Sequence, residues 1–222
     1  MTDFTRARLP EQKEERRAQL LSTARALLDA GTPLNDLGMN ALARAASMTK
    51  SNVYRYFESR EAVLLELLHD EWLAWYQTLT TTWTAPPTAS TTTLRAMCAH
   101  FAHTLAQRPL LCLLTSALPS VLEQNVSEDI VRAFKHSTLD FFVEVGVFIG
   151  EIVPALRGDP AVALMQDGAV ILAGLWPHAH PAEAVRHVVA TTPALRVFAP
   201  DFEAGFARLL HAVAAESLSL SS

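Results

Sequence analysis

The chain has 222 residues, of which 50% are apolar, 18% are charged and 8% are aromatic, as in an ordinary globular protein with a buried core. The first ten residues lack the apolar run of a signal peptide, and charges interrupt the longest apolar stretch, 139–153, so we expect a cytoplasmic protein without a membrane span. Two cysteines, Cys98 and Cys112, are too few for a disulfide framework, and their apolar neighbours predict buried free thiols.

Charge is distributed unevenly along the chain, whose formal net charge is −5. Residues 1–60 contain ten Lys and Arg against seven Asp and Glu, whereas residues 61–222 contain eight against sixteen. An excess of cations at one end of an acidic protein favours a small phosphate-facing domain attached to an acidic body.

Apolar residues recur at helical spacing in nearly every segment. The first predicted helix covers 16–28, and Gly31 is a suitable residue to end it. Two short helices follow at 39–46 and 50–57, the second with Thr49 as its N-cap.

A longer helix is predicted from Ser59 to the proline pair Pro86-Pro87, which cannot continue it. Later helices are predicted at 92–107, 109–122, 128–156, 160–176, 181–190 and 202–218. Suitable N-caps for them are Ser127, Asp159 and Asp201. Because the chain shows no strand-period alternation of useful length and no repeat, its fold class is predicted to be all-α.

The two short helices have the proportions of a helix-turn-helix, whose second helix enters the major groove of DNA. Steps of about 100° per residue turn Val53 and Phe57 of that helix inward. Ser51 and Arg55 then point outward, with Asn52 beside them. Arginine can read guanine and asparagine can read adenine, each through two hydrogen bonds, so the pattern favours a base-reading surface.

Tyr54, Tyr56 and Lys50 flank this surface and suit phosphate oxygens, which would fix the register of the protein on DNA. A second interpretation stays open from the pattern alone. In it the tyrosines are half-buried packing residues, and Lys50 and Arg55 only solvate a helix face. The surrounding sequence favours the first interpretation.

The run LARAASMTKSNVYRYFESREAVL, residues 42–64, resembles the DNA-binding signature of the tetracycline-repressor (TetR) family. The family pattern has an aliphatic-Ala pair, a Gly-Val-Ser turn, an aliphatic-Tyr-x-His/Tyr-Phe block and a basic residue before the fourth helix. The match covers about 50 residues from Arg16. The resemblance implies a three-helix DNA-binding domain at 1–58 and a helical domain for ligand binding and dimerisation at 59–222.

The resemblance also implies roles for individual residues. Tyr54 and Tyr56 match family phosphate contacts, and Arg60 matches the basic residue that meets phosphate at the start of the fourth helix. Other positions fall where family members touch bases or backbone. The expected DNA-binding residues are Asn40, Thr49, Lys50, Ser51, Asn52, Tyr54, Arg55, Tyr56 and Arg60.

Three positions depart from the family pattern. Ser47 and Ser51 stand where glycine is common, in the turn and in the second short helix. Gly38 stands where a Ser or Thr cap would open the first short helix. A left-handed backbone at Ser47 would cost about 1 kcal/mol, because its Cβ meets the following carbonyl. None of the three removes a group expected to contact DNA.

The second domain is expected to bind an effector and to form a homodimer. Small residues late in the chain, such as Ala169, Gly174 and Gly205, suit a dimeric four-helix bundle within 160–218, although ordinary core packing explains them nearly as well. Aromatic and histidine side chains are expected to line an apolar cavity for a neutral or cationic molecule, although such aromatics are more often core. These residues are Trp72, Trp75, His100, Phe101, His103, Phe134, Phe141 and Trp176.

Taken together, the patterns favour a ligand-responsive regulator, most simply a repressor that a small molecule releases from a palindromic operator. The alternatives are a regulator-like protein whose first domain binds a protein partner, and an enzyme. The chain has no Gly-x-Ser-x-Gly, no phosphate-binding glycine loop and no His-Glu-x-x-His pair, so we expect neither an enzyme nor a cofactor. A zinc site from His178, His180, Glu183 and His187 would need further ligands and is not expected.

Overall fold

The computed structural model describes residues 4–86 and 90–220, with side chains at 12–86 and 92–219. Every regular element in these ranges is helical, so the all-α prediction is confirmed. The α-helices are α1 (Phe4–Asp29), α2 (Met39–Ala45), α3 (Lys50–Val53), α4 (Arg60–Thr81), α5 (Ser90–Ala106), α6 (Pro109–Ala117), α7 (Glu128–Ile152), α8 (Asp159–Ala179), α9 (Glu183–Thr191) and α10 (Phe202–Leu220). Short 3₁₀ or π turns lie at Leu34–Asp36, Leu118–Leu122, Pro154–Leu156 and Pro193–Phe198.

The chain divides into two compact units. The first unit contains the chain up to His69 together with Leu118–Phe134, and the second contains Asp70–Ala117 and the chain from Lys135 onward. The predicted boundary at 58/59 thus differs from the observed division, which falls within α4 and within α7. The first half of α4 belongs to the first unit because its apolar side chains are fully buried there, Leu64 and Leu67 at 0% exposure.

Several helix ends follow from single residues, as predicted. Gly31 adopts a left-handed φ of 90°, and the next amide, that of Thr32, donates to the Leu27 carbonyl at 3.0 Å, which ends α1. The Ser127 hydroxyl accepts from the Ile130 amide at 3.4 Å, and the Asp201 carboxylate accepts from the Ala204 amide at 2.7 Å. These contacts cap α7 and α10.

The two ends of α8 differ from the prediction. Its N-cap is Gly158, which has no side chain to cap the helix, so the expectation that Asp159 caps it is wrong. The helix also continues past Trp176 to Ala179, although Pro177 has no amide hydrogen to donate, and the Trp176 carbonyl still accepts from the His180 amide at 2.9 Å. The predicted end of α4 at Pro86-Pro87 lies partly outside the described residues, because Pro87 is not among them; the helix itself ends at Thr81.

In the second unit, α10 packs on α5 and α8, and α6 packs on α8. Small residues allow the close approach of α8 and α10: a Cβ at Gly205 would lie 3.2 Å from Leu175, and one at Gly168 would lie 3.4 Å from Leu210. Gly205, expected at a dimer contact, is therefore used in packing inside the subunit.

In the described part of the chain, no single helix combines the length and hydropathy needed to cross a membrane. Residues Thr92–Ala106 and Pro109–Leu122 satisfy the requirement only as a pair, and the pair is bent by 92°. The apolar stretch 139–153 lies largely within α7, where Val145 and Ile149 are fully buried.

Candidate DNA interface and apolar cavity

Arg17 of α1 holds the helix-turn-helix in place. Its Nε donates to Glu66 Oε1 of α4 at 2.7 Å, and its Nη2 contacts the other oxygen of the same carboxylate. Its Nη1 donates to the backbone carbonyl of Tyr56 at 2.7 Å, and its guanidinium lies 4.3 Å from the centre of the Phe57 ring. One side chain thus joins α1, α4 and the end of the recognition segment, residues 50–57. Sequence reasoning missed this clamp, because its partners lie 39 to 49 residues away.

The turn between α2 and α3 has a left-handed backbone. Ser47 adopts a φ of 55°, the left-handed region. The Met48 amide donates to the Ala43 carbonyl at 2.8 Å and the Ser47 amide donates to the Arg44 carbonyl at 3.2 Å. This pair of bonds is the Schellman arrangement, which ends a helix and turns the chain sharply. The turn geometry therefore forms with serine where the family commonly has glycine.

Thr49 begins α3 as predicted. Its Oγ1 accepts from the Asn52 amide at 3.3 Å and lies 3.1 Å from the Ser51 hydroxyl. Regular α-helix ends at Val53 rather than at Phe57, and the chain continues through tighter bonds such as the Tyr56 amide to the Val53 carbonyl at 2.9 Å. Val53 and Phe57 are 0% and 2% exposed, which confirms their inward direction.

The predicted DNA-contacting residues of this segment form an exposed polar surface. Tyr54 is 47% exposed, and the Lys50 ammonium lies 5.8 Å from the centre of its ring. Tyr56 is half-buried. The exposed members of the set are Asn40, Thr49, Lys50, Ser51, Asn52, Tyr54 and Arg55. Because the apolar side of the same segment is buried, these are the groups that this segment presents to solvent.

Arg60 is more restrained than the other predicted contacts. Its Nη1 donates to the Asn35 carbonyl at 2.9 Å, and its Nε donates to Glu61 Oε1 at 2.7 Å. Its side chain keeps 26% exposure. The guanidinium is thus fixed at the start of α4, with both a backbone carbonyl and a buried carboxylate holding its orientation.

An open cleft in the first unit lies between α1 and the recognition segment. Arg55 and Tyr56 line one side, and α1 contributes Lys13 and Arg16 on the other, together with one carboxylate, Glu15. Three cations against one anion give this cleft a positive potential, which suits DNA phosphates. Sequence reasoning did not include Lys13 and Arg16, although the cations at 13, 16 and 17 were a signal for them.

A second contact joins distant parts of the first unit. Glu58, just before α4, accepts the backbone amide of Ser127 at 2.7 Å. Ser127 in turn caps α7, so the Glu58 carboxylate lies at the positive end of that helix. The contact connects the end of the helix-turn-helix to the beginning of α7.

The second unit contains an apolar cavity of about 50 Å³. Four of the predicted residues line it: Trp72, Trp75, Phe101 and Phe141. The Trp72 and Phe141 rings stack 5.5 Å apart, and the Trp75 ring meets Phe101 edge-on at 5.6 Å. Lining residues outside the predicted set include Met97, Met165, Phe206 and Thr115.

The other four predicted residues lie away from this cavity. His100 Nε2 lies 2.9 Å from the Leu79 carbonyl, and the exposed His103 lies 3.1 Å from a carboxylate oxygen of Glu203. Trp176 stacks on His180 at 3.6 Å. Phe134 is buried in the first unit. Periodicity placed Phe134 and Trp176 on buried helix faces, but it could not tell which helix faces meet.

Comparisons with known proteins agree with this geometry. Residues 20–67 match the family model of bacterial regulatory proteins of the tetR family, and residues 69–215 match the tetracyclin repressor-like C-terminal domain. The chain belongs to the TetR family. This TetR-family transcriptional regulator therefore carries a helix-turn-helix domain followed by the family's helical domain, and the family consists of regulators rather than enzymes.

Similar proteins match this regulator over different shares of its length. Two HTH-type transcriptional regulators from two strains of Mycobacterium tuberculosis, both described as uncharacterized, are 37% identical over 70 residues, which is 32% of this chain and 33% of each relative. The match thus spans a third of the curated relatives. A crystal structure described as a TetR-family transcriptional regulator from Syntrophomonas wolfei has the same fold, with a TM-score of 0.51, 13% identity and coverage of 94% and 95% of the two chains.

The two thiols of the regulator are free and buried, as predicted. Burial raises the pKa of Cys98 and of Cys112 to about 12, because a thiolate would lose its hydration in the protein interior. The Cys112 thiol donates to the Leu105 carbonyl at 3.3 Å. Both side chains therefore act as small apolar groups rather than as nucleophiles.

Histidines near the junction of α8 and α9 are not arranged as metal ligands. Within the described residues, no group of three or more His, Cys, Asp or Glu side chains is placed to hold a metal ion. His180 instead stacks on Trp176 and lies 6.3 Å from the Phe202 ring. Its imidazole is thus part of an aromatic cluster.

Proposed function

We propose that this regulator is a cytoplasmic homodimeric repressor that binds a palindromic DNA operator and is released by a small molecule. The observation that carries the proposal is the exposed polar surface at 49–56, held by a capped helix on one side and the Arg17 clamp on the other. A surface meant only for solvation needs no such fixed orientation, whereas base reading does.

The proposed roles divide the surface into two classes. Asn52 and Arg55 read base edges in the major groove, since asparagine and arginine make paired hydrogen bonds to adenine and guanine. Lys50, Tyr54 and Tyr56 contact phosphates and set the register. The remaining proposed contacts, which frame the same groove, are Asn40, Thr49, Ser51 and Arg60.

The homodimer needs an apolar contact surface, and exposed valines of the second unit offer one. Val143 and Val147 of α7 are 48% and 59% exposed, and Val170 of α8 is 62% exposed. Burial of such side chains contributes about 25 cal/mol per Å² of apolar area. The surface thus extends from 160–218 to include part of α7. Light scattering that gave the 24.3 kDa mass of one chain at micromolar concentration would contradict the dimer.

Release by a ligand follows from thermodynamic linkage. A dimer presents its two recognition helices at one separation, and DNA accepts only a narrow range of separations. A ligand that binds more tightly to the conformation with low operator affinity must weaken DNA binding, and DNA must weaken ligand binding by the same factor. Typical couplings are about 1–3 kcal/mol, which is roughly 5- to 150-fold in affinity. Both α4 and α7 continue from the first unit into the second and can carry this coupling.

The test is a gel shift with DNA from upstream of the regulator's own gene, with and without competitor DNA, followed by footprinting. We expect protection of two half-sites about one helical turn, or a multiple of it, apart. Protection of a single asymmetric site would contradict the dimeric mode. Failure to shift any fragment would instead support a protein partner for the first unit.

Substitutions then separate base reading from general attraction. Arg55→Ala should weaken operator binding by about 1–3 kcal/mol and relax the preference at particular base pairs. Arg44→Ala removes the same charge from an exposed position on α2 and is the matched control, with a small and sequence-independent effect. Lys50→Ala should lower affinity uniformly across sequences. An unchanged base preference in the Arg55 variant would overturn its assigned role.

A further inference from the structure

The cavity of the second unit contains one polar group without a partner. Thr115 lies on α6 and lines the cavity, and its side chain is 5% exposed. Its hydroxyl makes no hydrogen bond in the structure. Leaving a buried hydroxyl unpaired is costly, so native proteins rarely do it without a functional reason.

A buried water does not satisfy this hydroxyl well. Ordered waters inside proteins make about three hydrogen bonds to polar groups around them. The other side-chain donors along the cavity are the indole N–H groups of Trp72 and Trp75, and that of Trp75 already donates to the Thr104 hydroxyl at 3.0 Å. A water beside Thr115 would thus have few polar side chains around it, whereas an apolar molecule with a single polar atom needs only one hydrogen bond.

The rest of the lining decides the charge and shape of the occupant. No lining residue is charged, so an ion would lose its hydration without a counterion. The buried Glu71 precedes the lining residue Trp72 in the sequence but does not line the cavity itself. Its Oε2 lies 3.5 Å from Nη1 of Arg108. The earlier expectation of a neutral or cationic ligand is thereby narrowed to a neutral one.

The aromatic walls favour a flat ring, since ring pairs prefer stacked or edge-on contacts. The volume of about 50 Å³ is small beside the roughly 150 Å³ of an apolar protein cavity that holds benzene, so the occupant is compact and the cavity must widen to admit a ring. Met97 and Met165 line the cavity, and their flexible side chains can enlarge it.

We infer that the effector is a compact, uncharged, aromatic or similarly flat molecule with one hydrogen-bonding group, and that the Thr115 hydroxyl is its polar anchor. The inference rests on the proposed function for the effector role, but binding to the cavity is testable without DNA. A hydroxyl can donate to a carbonyl or ether and can accept from an alcohol or phenol, so both classes fit.

The experiment compares p-cresol with toluene, which differ by one hydroxyl, using tryptophan fluorescence of the full-length protein. Thr115→Val removes the hydroxyl at nearly constant shape. The ratio of p-cresol affinity to toluene affinity should fall about five-fold in this variant, the value of one net hydrogen bond. Thr115→Ser should keep the wild-type ratio. Ser116→Ala is the matched control, because Ser116 does not line the cavity and its hydroxyl already donates to the Cys112 carbonyl.

Several outcomes would overturn the inference. They are a ratio within two-fold of wild type in Thr115→Val, no binding of either compound at millimolar concentration, and binding of benzylamine or benzoate as tight as that of p-cresol. The fold of the variant is checked independently, since removing an unpaired hydroxyl should leave the unfolding midpoint unchanged or raise it. A gel shift of the same proteins reports operator binding separately, so loss of the cavity inference would leave the DNA-binding proposal standing.

Discussion

The two units of this regulator assemble their candidate sites in different ways. In the first unit the candidate interface is a short exposed segment, 49–56, whose side chains are neighbours in the sequence. In the second unit the cavity collects side chains from helices as far apart as α4 and α10. A recognition surface can thus be encoded locally, whereas a binding cavity exists only where distant helices pack.

The polar groups at the two candidate sites differ in whether the protein supplies their hydrogen-bond partners. In the first unit Arg17, Glu58 and Arg60 each bond a backbone group from a distant segment, which fixes the interface before DNA arrives. In the second unit the Thr115 hydroxyl has no protein partner. Preorganised groups suit a rigid partner such as duplex DNA, whereas a hydroxyl without a partner suits a small molecule that forms the missing hydrogen bond.

The largest expected effect comes from truncating the cavity wall. Trp75→Ala should lower the free energy of unfolding by about 3–5 kcal/mol, because it removes a large buried side chain that is 3% exposed and leaves Thr104 without its indole donor. Denaturant unfolding followed by circular dichroism measures the change. Leu73→Ala, at a neighbouring position with 40% exposure, is the control and should cost less than about 1 kcal/mol. Equal losses in the two variants would mean that the second unit lacks the packed interior assigned to it.

Removing the clamp of the first unit should have an intermediate effect. Arg17→Ala leaves the Glu66 carboxylate without this partner and removes a charged hydrogen bond to the Tyr56 carbonyl. We expect a loss of about 2–3 kcal/mol in unfolding free energy, below the value for a fully buried pair because both side chains are partly exposed.

The neighbouring arginine tests whether geometry or charge is responsible. Arg16→Ala removes the same charge, but Arg16 bonds only the nearby Gln19 among the contacts described, so stability should hardly change. Operator affinity in the Arg17 variant should fall equally for all base sequences, because the clamp positions the surface without reading bases. A selective change at one base pair would show that Arg17 itself lies at the DNA.

The smallest effect is expected at the turn. Ser47→Gly should raise the unfolding free energy by about 0.5–1 kcal/mol, because glycine adopts the left-handed φ of 55° without a Cβ clash. Thermal unfolding measures it. Asn125 has a φ of 51° but is of a residue type that tolerates this region, so Asn125→Gly is the control and should be nearly neutral. Destabilisation by Ser47→Gly would show that the serine side chain is needed in the turn.

Short-range features of the interface were predictable from the sequence. The Thr49 cap, the left-handed Ser47 and the inward direction of Val53 and Phe57 all depend on residues within one or two helical turns. The stop at Gly31 belongs to the same class. Caps and periodicity act over three to five residues, so a single chain carries enough information to place them.

Features that join distant segments were not predictable. Arg17 bonds the Glu66 carboxylate, which lies 49 residues away in the sequence. The Ser127 amide donates to the Glu58 carboxylate, which lies 69 residues away. Periodicity placed Trp176 and Trp75 alike on buried helix faces, yet only Trp75 reaches the cavity.

The helical class, the helix-turn-helix and the polar surface at 49–56 were thus readable from the chain alone, because all three follow from local backbone preferences and side-chain spacing. The packed fold was needed to show where the cavity lies, that the Thr115 hydroxyl lines it without a partner, and that His100 and His103 do not line it. The choice depends on which helix faces meet and how closely, and the small residues Gly168 and Gly205 set that approach between α8 and α10. Packing of this kind is a property of many contacts at once, and no single segment of the chain specifies it.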